Sequence, residues 1–201
     1  MNNREKEQIK KFYRDVIRIK SEAVVEELTA NSQIHKLKAK TLLIKENEKV
    51  DHIYFLYRMG DVAKSYYENP KGKKQIRCFA HLPGELLAGI MNLDKNMTSF
   101  LTVELVTDCE IVSTSADVIQ KLSRKNIEVA LVWNRIQGVS SMRQYEYEKM
   151  IITCNPVQRY EYFLETYPNL MDKVNKKDVA SYLNITPECF SRVLKKYNTK
   201  L

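Results

Sequence analysis

The run from Lys176 to Lys195 leaves the backbone little choice. Asn175 stands three residues before Asp178, the spacing of a capping-box variant, and Val179, Ala180 and Leu183 follow at helical spacing. Asn184 then falls where a left-handed turn residue is needed, and Asn tolerates positive φ better than most residues with a side chain. Thr186 is suited to cap a second helix, and Pro187 to its first position, where the missing N–H costs nothing. The pattern reads as helix, tight turn, helix. Val179, Leu183, Ile185, Phe190 and Val193 supply an apolar seam, and Ala180 is small where two helices cross closely.

On the second helix Glu188 and Arg192 are four apart and stack on one side, with Ser191 beside them, while Phe190 and Val193 turn inward. An outward edge of this chemistry suits the major groove of a DNA duplex. Arg192 can donate two bonds to O6 and N7 of guanine, Glu188 can accept from the amino group of cytosine, and Ser191 can serve several partners. Thr186, at the helix start, joins the candidate DNA-binding set. Lys195, Lys196 and Lys200 would meet phosphates, adding affinity that is salt-dependent and sequence-independent. The bland alternative is a packed helix pair with a surface ion pair; cap, turn, seam and basic tail together favour DNA.

Net charge is consistent with such a partner without identifying it, since a balance of +8 attracts polyphosphates and anionic lipid alike. From Asn155 onward there are eight Lys and Arg against five Asp and Glu, only a mild surplus. The last ten residues are sharper, with Arg192, Lys195, Lys196 and Lys200 and no acid.

Elsewhere the texture changes twice. Up to about residue 30, Ile9, Phe12, Val16, Ile19, Ala23 and Leu28 recur at helical spacing among charges, which predicts one or two N-terminal helices. From Ile34 to about Thr114 come short runs rich in Val, Ile, Tyr and Thr, such as His52–Tyr57 and Thr102–Val106. They are separated by turn formers at Met59–Asp61, Asn69–Gly72 and Leu82–Gly84. Many short strands at near-regular spacing predict a closed or double-sheet all-β unit such as a jelly roll. A long helical stretch then opens at Ser115 or Asp117 and runs to about Ile152, with a break expected near Gly138. Along it Val129, Val132, Ile136, Val139, Arg143, Glu146 and Met150 step by three and four, a partial heptad that would suit a parallel dimer.

The chain shows no stretch near the roughly 18 apolar residues of a membrane span, and its charged start lacks a signal-peptide core. We therefore expect a cytoplasmic protein with no membrane partner. Cys78, Cys109, Cys154 and Cys189 are scattered, so neither a disulfide framework nor a zinc or iron–sulfur ligand set is indicated. His35, His52 and His81 are the only histidines and none has the spacing of a cupin metal site, which weakens the rival reading of a cupin-like enzyme or binding protein. No catalytic constellation emerges, and the chain is expected not to be an enzyme.

The order of β-roll, long helix and C-terminal helix-turn-helix resembles the CRP/FNR family of bacterial regulators over nearly the whole chain. The roll signature from Glu46 through His52–Leu56 to Gly60-Asp61-Val62 looks like that family's strand and glycine turn. The more specific match is Asp178–Leu183 through Ser191–Lys195. Glu188-x-x-Ser191-Arg192 is similar to the recognition core of the FNR branch, whereas the catabolite activator branch has Arg at the Pro187 position and Gly at the Ser191 position. The resemblance implies an α+β fold: an N-terminal double-stranded β-helix or jelly roll, cyclic-nucleotide-binding-like, at 1–115, a dimer helix at 116–153, and a helix-turn-helix at 154–201. It also implies a homodimer on palindromic double-stranded DNA, with TTGA-type half-sites, a small-molecule effector in the roll, and RNA polymerase as a further partner.

Departures from the family pattern fall in the roll. Cyclic-nucleotide binders of the family carry a Gly-Glu pair for the ribose and, about ten residues on, Arg-Ser for the phosphate. Here Ala88-Gly89 and Ser99-Phe100 stand in those places, Gly84-Glu85 comes earlier, and no arginine lies between Arg77 and Arg124. A buried phosphate without a cationic partner is costly, so cyclic AMP is disfavoured. Gly84, Glu85, Ala88, Gly89, Ser99 and Phe100 remain the candidate effector residues. The FNR iron–sulfur cysteine cluster is missing, and a single Cys78-x-x-His81 makes haem ligation disfavoured. With about eight residues between the recognition core and Leu201, the family's wing hairpin is expected to be missing, whether by nature or by truncation.

Overall fold

The computed structural model describes residues 2–88, 90 and 97–198; Gly89 and Lys200, both singled out above, lie outside them. Two helices come first, α1 (Asn3–Lys11) and α2 (Glu22–Ala30), joined by a π-helical turn over Phe12–Val16. The π turn widens the helix, and Arg18 follows at φ 66 before α2 begins. This break resets the helical phase, so Ala23 is exposed and Val24 and Val25 take the buried positions instead. Ile9, Phe12, Ile19 and Leu28 are buried as the spacing predicts.

Among the described residues seven strands follow: β1 (Ser32–Leu37), β2 (Leu42–Ile44), β3 (His52–Leu56), β4 (Ala63–Glu68), β5 (Lys74–Ala80), β6 (Thr102–Leu105) and β7 (Cys109–Ser115). They form a three-stranded sheet in the order β1-β7-β3 and a four-stranded sheet in the order β2-β6-β4-β5. β7 pairs antiparallel with β1 through Ile34 opposite Val112, and with β3 through Phe55 opposite Val112. Among the described residues five α-helices follow: α3 (Ala116–Lys125), α4 (Ile127–Thr153), α5 (Pro156–Thr166), α6 (Lys176–Tyr182) and α7 (Pro187–Asn198).

Contacts divide the chain into two compact units, one of Met1–Ser65 with Phe79–Gly138 and one of Tyr66–Cys78 with Val139–Leu201. In the first, Ile53, Phe55, Val103, Leu105, Ile111 and Val112 fill the sheets' interior, joined by Phe12, Tyr13 and Val25 from the N-terminal helices and by Ile119, Leu122, Val129 and Trp133 from α3 and α4. Each such side chain contributes about 1.5–3 kcal/mol on burial. Tyr13 carries a hydroxyl into this core, where it bonds to Ser32 (2.8 Å) and to Thr114, while Ser32 and Thr114 bond to each other at 2.8 Å. Burial pushes the Tyr13 phenol above its ordinary range.

The helical break expected near Gly138 lies instead at Asn126. Its backbone is extended, and its Oδ1 accepts from the N–H groups of Glu128 (2.9 Å) and Val129, so it ends α3 and caps α4. Gly138 sits inside α4 with open space where a Cβ would be. The expected heptad divides: its Val139 is 52% exposed. Val129 and Met150 are buried, and Val132 and Ile136 pack on the core of their own chain. The apolar face that α4 leaves open carries Leu131, Met142, Tyr145 and Ile152, which are 59%, 58%, 64% and 82% exposed.

Candidate nucleic-acid interface

Asn175 Oδ1 accepts from Asp178 N–H (2.8 Å), and its amide donates to the Asp178 carboxylate (2.8 Å), so the cap of α6 uses a side-chain pair rather than the full capping box. Asn184 turns the chain at φ 53, in the left-handed region. Thr186 Oγ1 then accepts from Cys189 N–H (3.2 Å), and Pro187 opens α7. Val179, Ala180, Leu183, Phe190 and Val193 are buried between the helices, and Ile185 is half-buried.

This apolar seam fixes which side of α7 faces out. Thr186, Glu188, Ser191, Arg192, Lys195 and Lys196 are all exposed. Ser191 folds its hydroxyl back onto the Pro187 carbonyl (3.0 Å). Glu188 lies at the helix N-terminus, where its own backbone N–H, the Thr186 hydroxyl and, least, Arg192 hold its carboxyl below the ordinary range. The edge is therefore an anion followed by a hydroxyl and a cation. Lys176 and Lys177 are exposed at the start of α6.

Two supports of this helix pair go beyond the sequence reading. One is aromatic: Tyr160 meets Phe190 and Tyr197 edge-on with centroids 5.5 and 5.2 Å apart, and Phe163 meets Tyr182 at 5.8 Å. Tyr182 is buried, and desolvation raises its phenol far above the ordinary value. The other is Arg159, whose guanidinium donates to the carbonyls of Ile151 (2.7 Å), Cys154 (2.9 Å) and Leu183 (3.0 Å), groups at the ends of α4 and α6 that lack helical donors. Arg159 follows the Asn155-Pro156-Val157-Gln158 start of α5, whose full capping box is legible in the sequence.

The candidate effector residues of the first unit are differently placed. Glu85 accepts from the N–H groups of His81 (2.6 Å) and Leu82 (2.9 Å), closing the turn that Gly84 makes at φ 83. A Cβ on Gly84 would stand 2.7 Å from Val16 Cγ1. Ser99 is fully buried and donates to the Leu101 carbonyl (2.6 Å). Ala88 packs against the core, and Phe100 is 42% exposed. Among the described residues no cluster of His, Cys, Asp or Glu could hold a metal, and no helix is long and apolar enough to cross a membrane.

No family model and no curated protein matches the sequence. Solved structures do match in fold. The chain is similar to FixK2 from Bradyrhizobium japonicum, with 19% identity, a TM-score of 0.73 and coverage of 84% of this chain and 85% of that one. It is similar to CLP, the c-di-GMP-responsive global regulator of Xanthomonas campestris, at 17% identity and TM-score 0.68 over 90% of this chain and 93% of that one. A protein of Eubacterium rectale described as a transcriptional regulator of the CRP/FNR family matches at 13% identity and TM-score 0.69, over 90% and 85%. The chain therefore shares the fold of these solved structures.

Proposed function

We propose that the protein is a sequence-specific DNA-binding transcription regulator, acting in the cytoplasm as a homodimer under control of a small-molecule effector. The observation that carries this reading is the outward edge of α7. Glu188, Ser191 and Arg192 stand in solvent while Phe190 and Val193 anchor the helix from behind. Arg192 reads guanine, Glu188 the cytosine amino group, and Ser191 and Thr186 support them; Lys195 and Lys196 bind phosphate. TTGA-type half-sites in a palindrome, and RNA polymerase as a further partner, are what the resemblance to the CRP/FNR family implies.

The second copy covers α4. Leu131, Gly138, Tyr145 and Ile152 recur every seven residues, with Met142 between them, and all are exposed. An apolar seam at that period on a helix of 27 residues suits a parallel coiled-coil contact. No effector is assigned, because Glu85 and Ser99 already bond within the chain.

Duplexes selected by the protein from a random pool supply the test. Arg192→Ala should lower discrimination at one guanine per half-site by about tenfold or more. Lys196→Ala should weaken selected and scrambled duplexes alike and reduce the salt dependence of binding by about one charge. Equal loss on both kinds of duplex from Arg192→Ala would overturn the reading.

A further inference from the structure

The hairpin of β4 and β5 shares a compact unit with the terminal helices through Tyr66–Cys78. Among the described residues β5 is the last strand of its sheet. Ser181 of α6 meets its backbone. Its hydroxyl accepts from Ile76 N–H (3.0 Å) and donates to the Lys74 carbonyl (3.0 Å), as a further strand would. Gln75, between them, donates its side-chain amide to the Ser181 carbonyl. A serine inside a helix commonly bonds to the carbonyl four residues back, as Ser191 does in α7; Ser181 turns its hydroxyl outward to the strand instead.

A second hold lies beside the first. Arg77 stacks its guanidinium 4.2 Å over the Tyr147 ring and reaches Glu148 at 3.5 Å. The Tyr147 hydroxyl donates to the Tyr182 carbonyl (3.1 Å), the residue after Ser181. Four consecutive residues of β5, Lys74 and Ile76 by backbone and Gln75 and Arg77 by side chain, therefore hold α6 and α4, and the recognition edge of α7 stays exposed throughout.

We infer that Ser181 is a positioning residue for DNA reading: it keys the helix-turn-helix onto the hairpin, so the orientation in which α7 meets a duplex is set by β5. This rests on the DNA-binding reading above. The clasp touches no base-reading side chain, so its loss should cost affinity and leave discrimination intact.

The experiment compares the full chain with Ser181→Ala, and with Gln75→Ala as a second variant that leaves the hydroxyl in place. Amide hydrogen exchange is read at Ile76, with Val179 and Phe190 as monitors of helix-turn-helix folding. In Ser181→Ala, Ile76 should exchange at least about tenfold faster while Val179 and Phe190 keep their protection. Affinity for a selected duplex should fall about threefold to tenfold, with an unchanged ratio of selected to scrambled binding, and Gln75→Ala should shift affinity in the same direction by less. Unmoved exchange at Ile76, or unmoved or increased affinity, overturns this role while Arg192-dependent discrimination survives. Wild-type protein that binds every duplex alike sinks the DNA reading, and this role with it.

Discussion

Two places in this chain present the same kinds of side chain, and their surroundings give them opposite duties. At the turn of 81–85 and at Ser99, a glutamate and a serine are spent on closing the fold: each accepts from or donates to a backbone group a few residues away. On α7, Glu188 and Ser191 also bond locally, but they lie in solvent beside Arg192 with the apolar side of their helix anchored behind them. Residue type does not separate the two; burial and committed partners do. A polar group with its bonds satisfied inside the chain has little left to offer a ligand.

Mutation can break this contrast. The largest effect belongs to Glu85→Ala, which strips two N–H groups of a charged acceptor and should cost about 2–3 kcal/mol in denaturant unfolding, with no change in duplex discrimination. Ser99→Ala should cost about 1 kcal/mol by the same measurement, since one buried hydroxyl–carbonyl bond is lost. Glu188→Ala should do the reverse, lowering the thermal unfolding midpoint only slightly, by the loss of a helix N-terminal carboxylate, while binding studies show weaker preference for one base pair per half-site. A Glu188 variant that unfolds early, or a Glu85 variant that changes base preference, would erase the distinction.

Smaller effects sharpen it. Because the Glu188 carboxyl is held below its ordinary value, the folded state favours the ionised form. Its contribution is fully present above the unfolded value and is lost only as pH falls through the lower folded one. Duplex discrimination should then be level from about pH 6 to pH 8 and decline only in more acid buffer. The smallest expected effect is none: cyclic AMP at millimolar concentration should not move the unfolding midpoint, and a rise of several degrees would assign to the roll a nucleotide site that Glu85 and Ser99 do not build.

What the sequence disclosed followed the range of the forces involved. Caps, turn and seam of the helix-turn-helix are set within about twenty residues, and Asn175, Asn184, Thr186 and Pro187 take the positions their chemistry dictates. The stripe read along α4 divides, because spacing marks apolar positions without saying what covers them: Val129 and Met150 are covered within the chain, and Val139 is exposed. Gly138 suggested a break that Asn126 makes, since an amide that caps a new helix is a stronger punctuation than a glycine with nothing crowding it. The pairing of Ser181 with Lys74 and Ile76 spans more than a hundred residues, and no local pattern carries it.

The guanidinium of Arg159 has a consequence of its own. One donor group serves the final carbonyls of two helices, so the last turn of α4 and the last turn of α6 fray together: unwinding either withdraws a partner that the other also uses. Two helix ends held by one guanidinium are expected to open together, which hydrogen exchange would read as matched loss of protection at both ends in an Arg159→Ala protein.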